Sequence, residues 1–268
     1  MKLKHYLLTL LLICGLFACK TKDPFPGKDV CILLTNAHTG AVESAWNEKR
    51  CRERFPACST FKVPLALMAF DTGILRDERQ ILPWDGQNRM LEAWNRDHNA
   101  ETWMRDSVVW FSQRLTPLVG EAKIQKYLSD LAYGNGNIAA GLTDAWLKAP
   151  DSNEAALSIS AYEQAVFFRK LFDDQLRVSV AASALTKQIL YHETSPRGYT
   201  LSGKTGSNTY NAEKGRRLGW FVGYLERGSE AYTIAVNFSD RNATTDQAFG
   251  GKVAREIAKT YLGENGLW

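Results

Sequence analysis

The chain has 268 residues, of which 45% are hydrophobic and 23% charged, an ordinary globular composition that fits one domain with a lobe. Its formal net charge of +4, from Lys+Arg 33 against Asp+Glu 29, is small and scattered. No basic run forms a nucleic-acid footprint, so a nucleic-acid partner is not expected, and the charges read as an ordinary solvated face.

Lys2 and Lys4 precede an apolar stretch from Tyr6 to Phe17 that is too short to span a bilayer and has the form of a signal-peptide core. It ends in Leu16-Phe17-Ala18-Cys19, which resembles the lipobox of bacterial lipoproteins. Residues 1–18 are therefore expected to be a removed signal peptide, 19–28 a polar tether and 29–268 a single catalytic domain. The protein is expected to be exported to the periplasm and held at a membrane by lipid on Cys19; plain cleavage near Ala18 is the alternative. Export places Cys31, Cys51 and Cys58 in an oxidising compartment. Cys31 opens one strand of a hairpin and Cys51 lies just past the other, so they are a compatible pair that would leave Cys58 free. Spacing does not fix connectivity, and three unpaired thiols remain open.

Val30 to Leu34 is a buried-strand run, His38-Thr39-Gly40 a turn, and Ala41 to Trp46 the returning strand. Ser59 to Ile74 carries apolar residues at helical spacing and stops at Gly73. Ala100 to Tyr133 reads as helix interrupted at Thr116-Pro117 and Gly120, and Tyr133 to Gly141 as loop. Ala161 to Leu171 and Val178 to His192 are further helices. Tyr199 to Lys204, Arg217 to Glu226 and Ala231 to Ser239 read as antiparallel strands, and Ala248 to Leu262 as a closing amphipathic helix. The simplest closure sets the first hairpin beside the last strands in one antiparallel sheet, with the middle helices as a lobe: an α+β fold in which the chain's two ends meet.

Four short motifs follow in order: Ser59-Thr60-Phe61-Lys62, Ser107-Val108-Val109, Tyr133-Gly134-Asn135 and Lys204-Thr205-Gly206. An S-x-x-K alone is expected about once by chance in a chain this size. Its position at a helix start is more informative, because a residue three further on lies on the same face and brings Lys62 beside the Ser59 hydroxyl. Lys204-Thr205-Gly206 falls at the end of an expected strand. Gly206, lacking a side chain, would let a bound amide approach the backbone, and the N–H groups of Ser207 and Ser59 would form an oxyanion hole. Serine needs a base. His5, His38, His98 and His192 are in no recognisable triad, there is no G-x-S-x-G elbow, and His and Cys are too sparse for a zinc cluster, so no metal is expected. A lysine is the economical base, provided burial lowers it from its free value near ~10.4.

The ordered set resembles the class D β-lactamases, the oxacillinases. Pro56 with Ser59-Thr60-Phe61-Lys62-Val63-Pro64, Trp84-Asp85-Gly86, Trp103 through Trp110, Trp146 after the Tyr133-Gly134-Asn135 loop, and Gly219-Trp220-Phe221-Val222-Gly223 add to it. The resemblance covers roughly residues 30 to 262. It implies the serine β-lactamase and transpeptidase fold, β-lactam substrates, and antibiotic resistance by ring opening at Ser59. It implies no cofactor beyond carbon dioxide or bicarbonate, which carboxylates Lys62. Trp146 would hold that carbamate, Val109 would be its apolar lid, and Ser107 would pass a proton to the leaving nitrogen. Lys204 would orient Ser107, Thr205 would bind the substrate carboxylate, and Arg241 would pair with it. Two other readings share the nucleophile logic: a penicillin-binding D,D-peptidase, and a β-lactam sensor that acylates without turnover.

Overall fold

The computed structural model describes residues 23–149, 156–211, 215–246 and 248–268. The expected signal peptide and lipid site at Cys19 lie outside the described residues.

β1 (Lys28–Asn36) returns through β2 (Val42–Trp46), followed by α1 (Glu48–Arg52) and the short β3 (Phe55–Pro56). A 3-10 turn, Cys58–Phe61, leads into α2 (Lys62–Asp71). The lobe continues with α3 (Ala100–Asp106), α4 (Val109–Val119) and α5 (Glu121–Asp130), then β4 (Ser158–Ile159), α6 (Ala161–Phe172) and α7 (Val180–Gln188). β5 (Tyr191–Thr194), β6 (Thr200–Asn211), β7 (Arg216–Arg227), β8 (Glu230–Asp240) and α8 (Gly250–Glu264) complete the chain. The main sheet is antiparallel with strand order β2-β1-β8-β7-β6-β5, so the first hairpin does pair with the last strands.

The sheet is buried on both faces, which explains the unbroken apolar run in β1. Val30, Ile32 and Leu34 face the α8 layer with Phe221, Phe238, Ala254 and Leu262, while Cys31 and Leu33 join Trp220 and the helical lobe. α2 runs through the lobe with every residue from Lys62 to Phe70 buried. A helix covered all round keeps no polar stripe, and this is why its sequence is apolar on all sides.

Four boundaries differ from expectation. The helix expected from Ser59 begins as a 3-10 turn and becomes α-helical at Lys62. The expected break at Gly120 does separate α4 from α5, but Pro117 stays inside α4, and a further break falls at Ser107, whose φ of 56° and ψ of 40° close α3 as its N–H donates to the Trp103 carbonyl. The helix expected to reach His192 stops at Gln188, because Tyr191–Thr194 pairs with Thr200–Gly203 as an edge strand. Residues 23–28, expected to be tether, lie on the sheet: Lys28 opens β1, the Phe25 ring packs edge-on against Trp46 at 5.6 Å, and Gly27 accepts the Arg241 N–H.

Cys31 and Cys51 form a disulfide with Cα atoms 5.2 Å apart, tying β1 to α1, and Cys58 is a buried free thiol. The bridge closes a separation of 20 residues, for which the chain-entropy argument gives about 3 kcal/mol. The Cys31→Ser, Cys51→Ser double variant is expected to lose about that much in denaturant unfolding, and the wild type to lose the same on reduction.

Candidate active site

The S-x-x-K pair owes its geometry to the 3-10 turn. In such a turn residues i and i+3 eclipse, and Lys62 Nζ comes to lie 3.1 Å from Ser59 Oγ. Cys58, just before the serine, has a φ of 51°, a left-handed conformation that costs a non-glycine residue about 1–2 kcal/mol. Contacts from distant elements hold the strained segment. Trp220 Nε1 on β7 donates to the Pro56 carbonyl at 3.0 Å, and Cys58 Sγ donates to the same carbonyl at 3.2 Å. Thr60 Oγ1 donates to the Ala57 carbonyl and accepts from Gln164 Nε2 on α6 at 2.8 Å. Trp220 and Gln164 position the nucleophile, and sequence reading gave them no role; the one signal for Gln164 is a polar residue on the buried face of an amphipathic helix.

Lys62 is 0% exposed. Burial drives its ammonium well below the ordinary lysine value, and the positive charge of Lys204 pushes it further the same way. Burial also pushes the Cys58 thiol up, so it packs as a neutral side chain. Trp146, 1% exposed, stacks its ring 4.9 Å from that of Phe61, and its Nε1–H is buried with no acceptor. A buried unpaired donor costs about 1–3 kcal/mol.

Ser107 sits in the left-handed break between α3 and α4, which turns its side chain toward β6: Lys204 Nζ donates to Ser107 Oγ at 3.1 Å. Lys204 also donates to the Thr205 carbonyl at 3.1 Å and to Thr205 Oγ1 at 3.3 Å. Burial first, and Arg255 second, lower Lys204 to about 7.

A cavity of about 330 Å³ opens over these groups. Ser59, Ser107, Thr205 and Ser207 line its floor, and Val109, Trp94, Leu147 and Phe249 are among its apolar walls. Ser59, Lys62, Ser107, Val109, Lys204, Thr205 and Ser207 are thus brought together at one place.

Two expected roles are corrected. Arg241 does not line the cavity. β8 ends opposite the start of β1, and Arg241 turns to that side, its Nε 2.7 Å from Asp29 and its Nη1 3.0 Å from Asp23. The cations that do line the cavity are Lys252 and Arg255, one turn apart on α8. Gly206 is not at a strand end and does not open the backbone to a substrate. It lies mid-β6, and a Cβ there would be 3.1 Å from that of Cys58 and 3.2 Å from that of Trp220. The missing side chain lets the nucleophile turn pack directly on the strand. A similar approach seats α8: a Cβ on Gly219 would lie 2.3 Å from the Gly250 carbonyl, and Gly251 N–H donates to Ser207 Oγ at 2.8 Å. Phe249-Gly250-Gly251 was the available signal that the first turn of α8, and with it Lys252, belongs to the site.

The family described as the penicillin binding protein transpeptidase domain matches residues 30–263. The chain is 38% identical over 207 residues to β-lactamase OXA-1 of Escherichia coli, covering 75% of this chain and 72% of that one. A class D β-lactamase structure from Bacillus subtilis superposes with a TM-score of 0.77 at 32% identity, covering 90% of this chain and 92% of the other. The C-terminal domain of the Bacillus licheniformis BlaR penicillin-receptor superposes with a TM-score of 0.81 at 29% identity, again over 90% and 92%. With a fully buried lysine beside a serine and residues of three of the four motifs lining one cavity, the chain belongs to the class D β-lactamases, serine enzymes on the penicillin-binding transpeptidase fold.

Proposed function

We propose that the chain hydrolyses β-lactams through an acyl-enzyme on Ser59, with Lys62, carboxylated on Nζ, as the base, and so confers resistance. The carrying observation is the fully buried Lys62 amine 3.1 Å from Ser59 Oγ; Trp146, packed on the neighbouring Phe61 ring, adds a buried N–H that has no acceptor. Burial favours the neutral amine, which is nucleophilic. Its nitrogen bonds to the carbon of carbon dioxide and releases a proton, leaving a carbamate anion. The anion supplies the acceptor that Trp146 lacks, and Val109 helps keep the site dry.

In acylation the carbamate takes the Ser59 proton as Oγ attacks the lactam carbonyl. The N–H groups of Ser59 and Ser207 receive the oxyanion. The carbon–nitrogen bond opens, and the leaving nitrogen takes a proton from Ser107, which Lys204 orients and re-supplies. Thr205 and Lys204 meet the substrate carboxylate, with Lys252 and Arg255 adding positive charge from α8. The Ser59 proton passes from the carbamate to the Lys204 amine, which resets both groups; the carbamate then draws a proton from water as the water oxygen attacks the ester carbonyl, and returns it to Ser59 Oγ as the ester bond breaks. For export and lipid attachment at Cys19, support comes from the N-terminal pattern and from the Cys31–Cys51 disulfide, which suits an oxidising compartment. Radiolabelled palmitate incorporated in the wild type and not in Cys19→Ser would test it.

The penicillin-receptor likeness favours one second reading, acylation without turnover. Sustained hydrolysis of a chromogenic cephalosporin by residues 20–268 supports the enzyme; a single burst with a stable adduct supports the sensor. Lys62→Ala is expected to lower turnover by about 10²–10⁴-fold, and near-normal rates in that variant would remove Lys62 as base.

Carbon dioxide adds only to the unprotonated amine. Because burial lowers Lys62, the free amine persists to lower pH than in an ordinary lysine and is lost as pH falls through the lowered value. Turnover is therefore expected at neutral pH and to decline on the acid side. After acid treatment it should return at neutral pH with added bicarbonate, and a ¹³C carbamate signal should return with it. Trp146→Phe removes the N–H and keeps most of the ring packing, so this variant is expected to need more bicarbonate for half-maximal recovery. An unchanged requirement would show that the indole does not hold the carbamate.

A further inference from the structure

A second cavity, of about 440 Å³, adjoins the first, and Lys204, Thr205 and Arg255 separate the two. β5, β6 and α3 complete its walls, with Gln188, His192, Arg105 and Glu101 among the polar lining. Arg105 is paired with Asp106, and Glu101 is the one acid in the lining. Arg255 is different. Its guanidinium lies over the Tyr191 ring at 4.7 Å, and its buried Nε makes no hydrogen bond, the ion pair with Glu256 being 3.6 Å long. With no strong hydrogen bond to a carboxylate, the Arg255 guanidinium stands with Lys204 as positive charge at the mouth shared by the two cavities.

We propose that this second cavity is a subsite for a negatively charged substituent on the ring that the lactam nitrogen belongs to. The inference rests on the proposed hydrolase reading. There Ser107 and Lys204 face the lactam nitrogen, and Thr205 holds the ring carboxylate. In a cephalosporin the ring carbon next to the carboxylate-bearing one carries the 3-substituent, which then points past Lys204 and Arg255 into the second cavity. A penicillin has only methyl groups on that side and does not reach it. An anionic arm meets Lys204 and Arg255 with opposite charge, and a cationic arm meets them with like charge.

The test uses residues 20–268 with three cephalosporins sharing one acyl side chain, whose 3-position carries a methyl, a carboxymethylthio or a pyridiniummethyl group; benzylpenicillin is the reference. The anionic arm is expected to give a KM about fivefold below the cationic one, the effect of one partly screened charge contact. Gln188 is an exposed wall residue outside the catalytic machinery. Gln188→Glu should shrink or reverse that ratio and Gln188→Lys should widen it, both leaving benzylpenicillin and the methyl compound within twofold of wild type. Equal KM values for the charged arms, or variants that change all four substrates alike, overturn the subsite while leaving the hydrolase intact. No reaction with benzylpenicillin removes the hydrolase reading and the subsite together.

Discussion

The burial of the Lys62 amine is the constraint from which the rest of the site follows. A charged ammonium in a dry pocket is costly, so burial favours the neutral amine at Lys62. Among the described residues its hydrogen-bond partner is Ser59, and its chain neighbours Phe61, Val63 and Leu65 are all buried. A core helix that carries a single lysine in an apolar stretch spends stability on that position. The unpaired Trp146 donor is a second local cost. Conflicts of this kind between local preference and global fold concentrate where chemistry is done.

The opposite wall obeys the same logic. Lys204 is nearly as buried as Lys62, and its ammonium is held near neutrality. Each lysine lies against a serine hydroxyl at 3.1 Å, Lys62 on Ser59 and Lys204 on Ser107. Two serines, each backed by a lysine whose proton affinity has been reduced, face one cavity. Such a pair is suited to moving a proton off the attacking oxygen on one side and onto the leaving nitrogen on the other. Both serines stand at left-handed backbone positions or directly after one, so each hydroxyl is aimed into the cavity by a strained turn that packing elsewhere keeps in place.

That packing is supplied by glycine contacts and buried polar side chains. β6 and the nucleophile turn touch because Gly206 has no Cβ. α8 presses on β7 because Gly219 and Gly250 have none. Gln164 and Trp220 each add a buried hydrogen bond to the turn, one to the Thr60 hydroxyl and one to the Pro56 carbonyl. The seating of α8 also decides which cations reach the substrate cavity, Lys252 and Arg255 rather than Arg241.

The sequence by itself determined the strands of the first hairpin and the last three, the order of the motifs and the placing of a lysine beside a serine. Those features are written in local period and spacing: alternation or apolar runs for strands, and three-residue steps that place two side chains on one face. Only the tertiary structure decided where helix α3 breaks, that Tyr191–Thr194 becomes an edge strand, that Gly206 serves packing, and that α8 supplies the cavity's outer cations. The physical reason is that each of these depends on a partner far along the chain. A left-handed serine is stable only when its neighbours hold it. A strand forms at β5 because β6 offers it a ladder. An arginine joins a site only if the strand that carries it turns that way, and Arg241 turned instead toward Asp23 and Asp29 across the sheet.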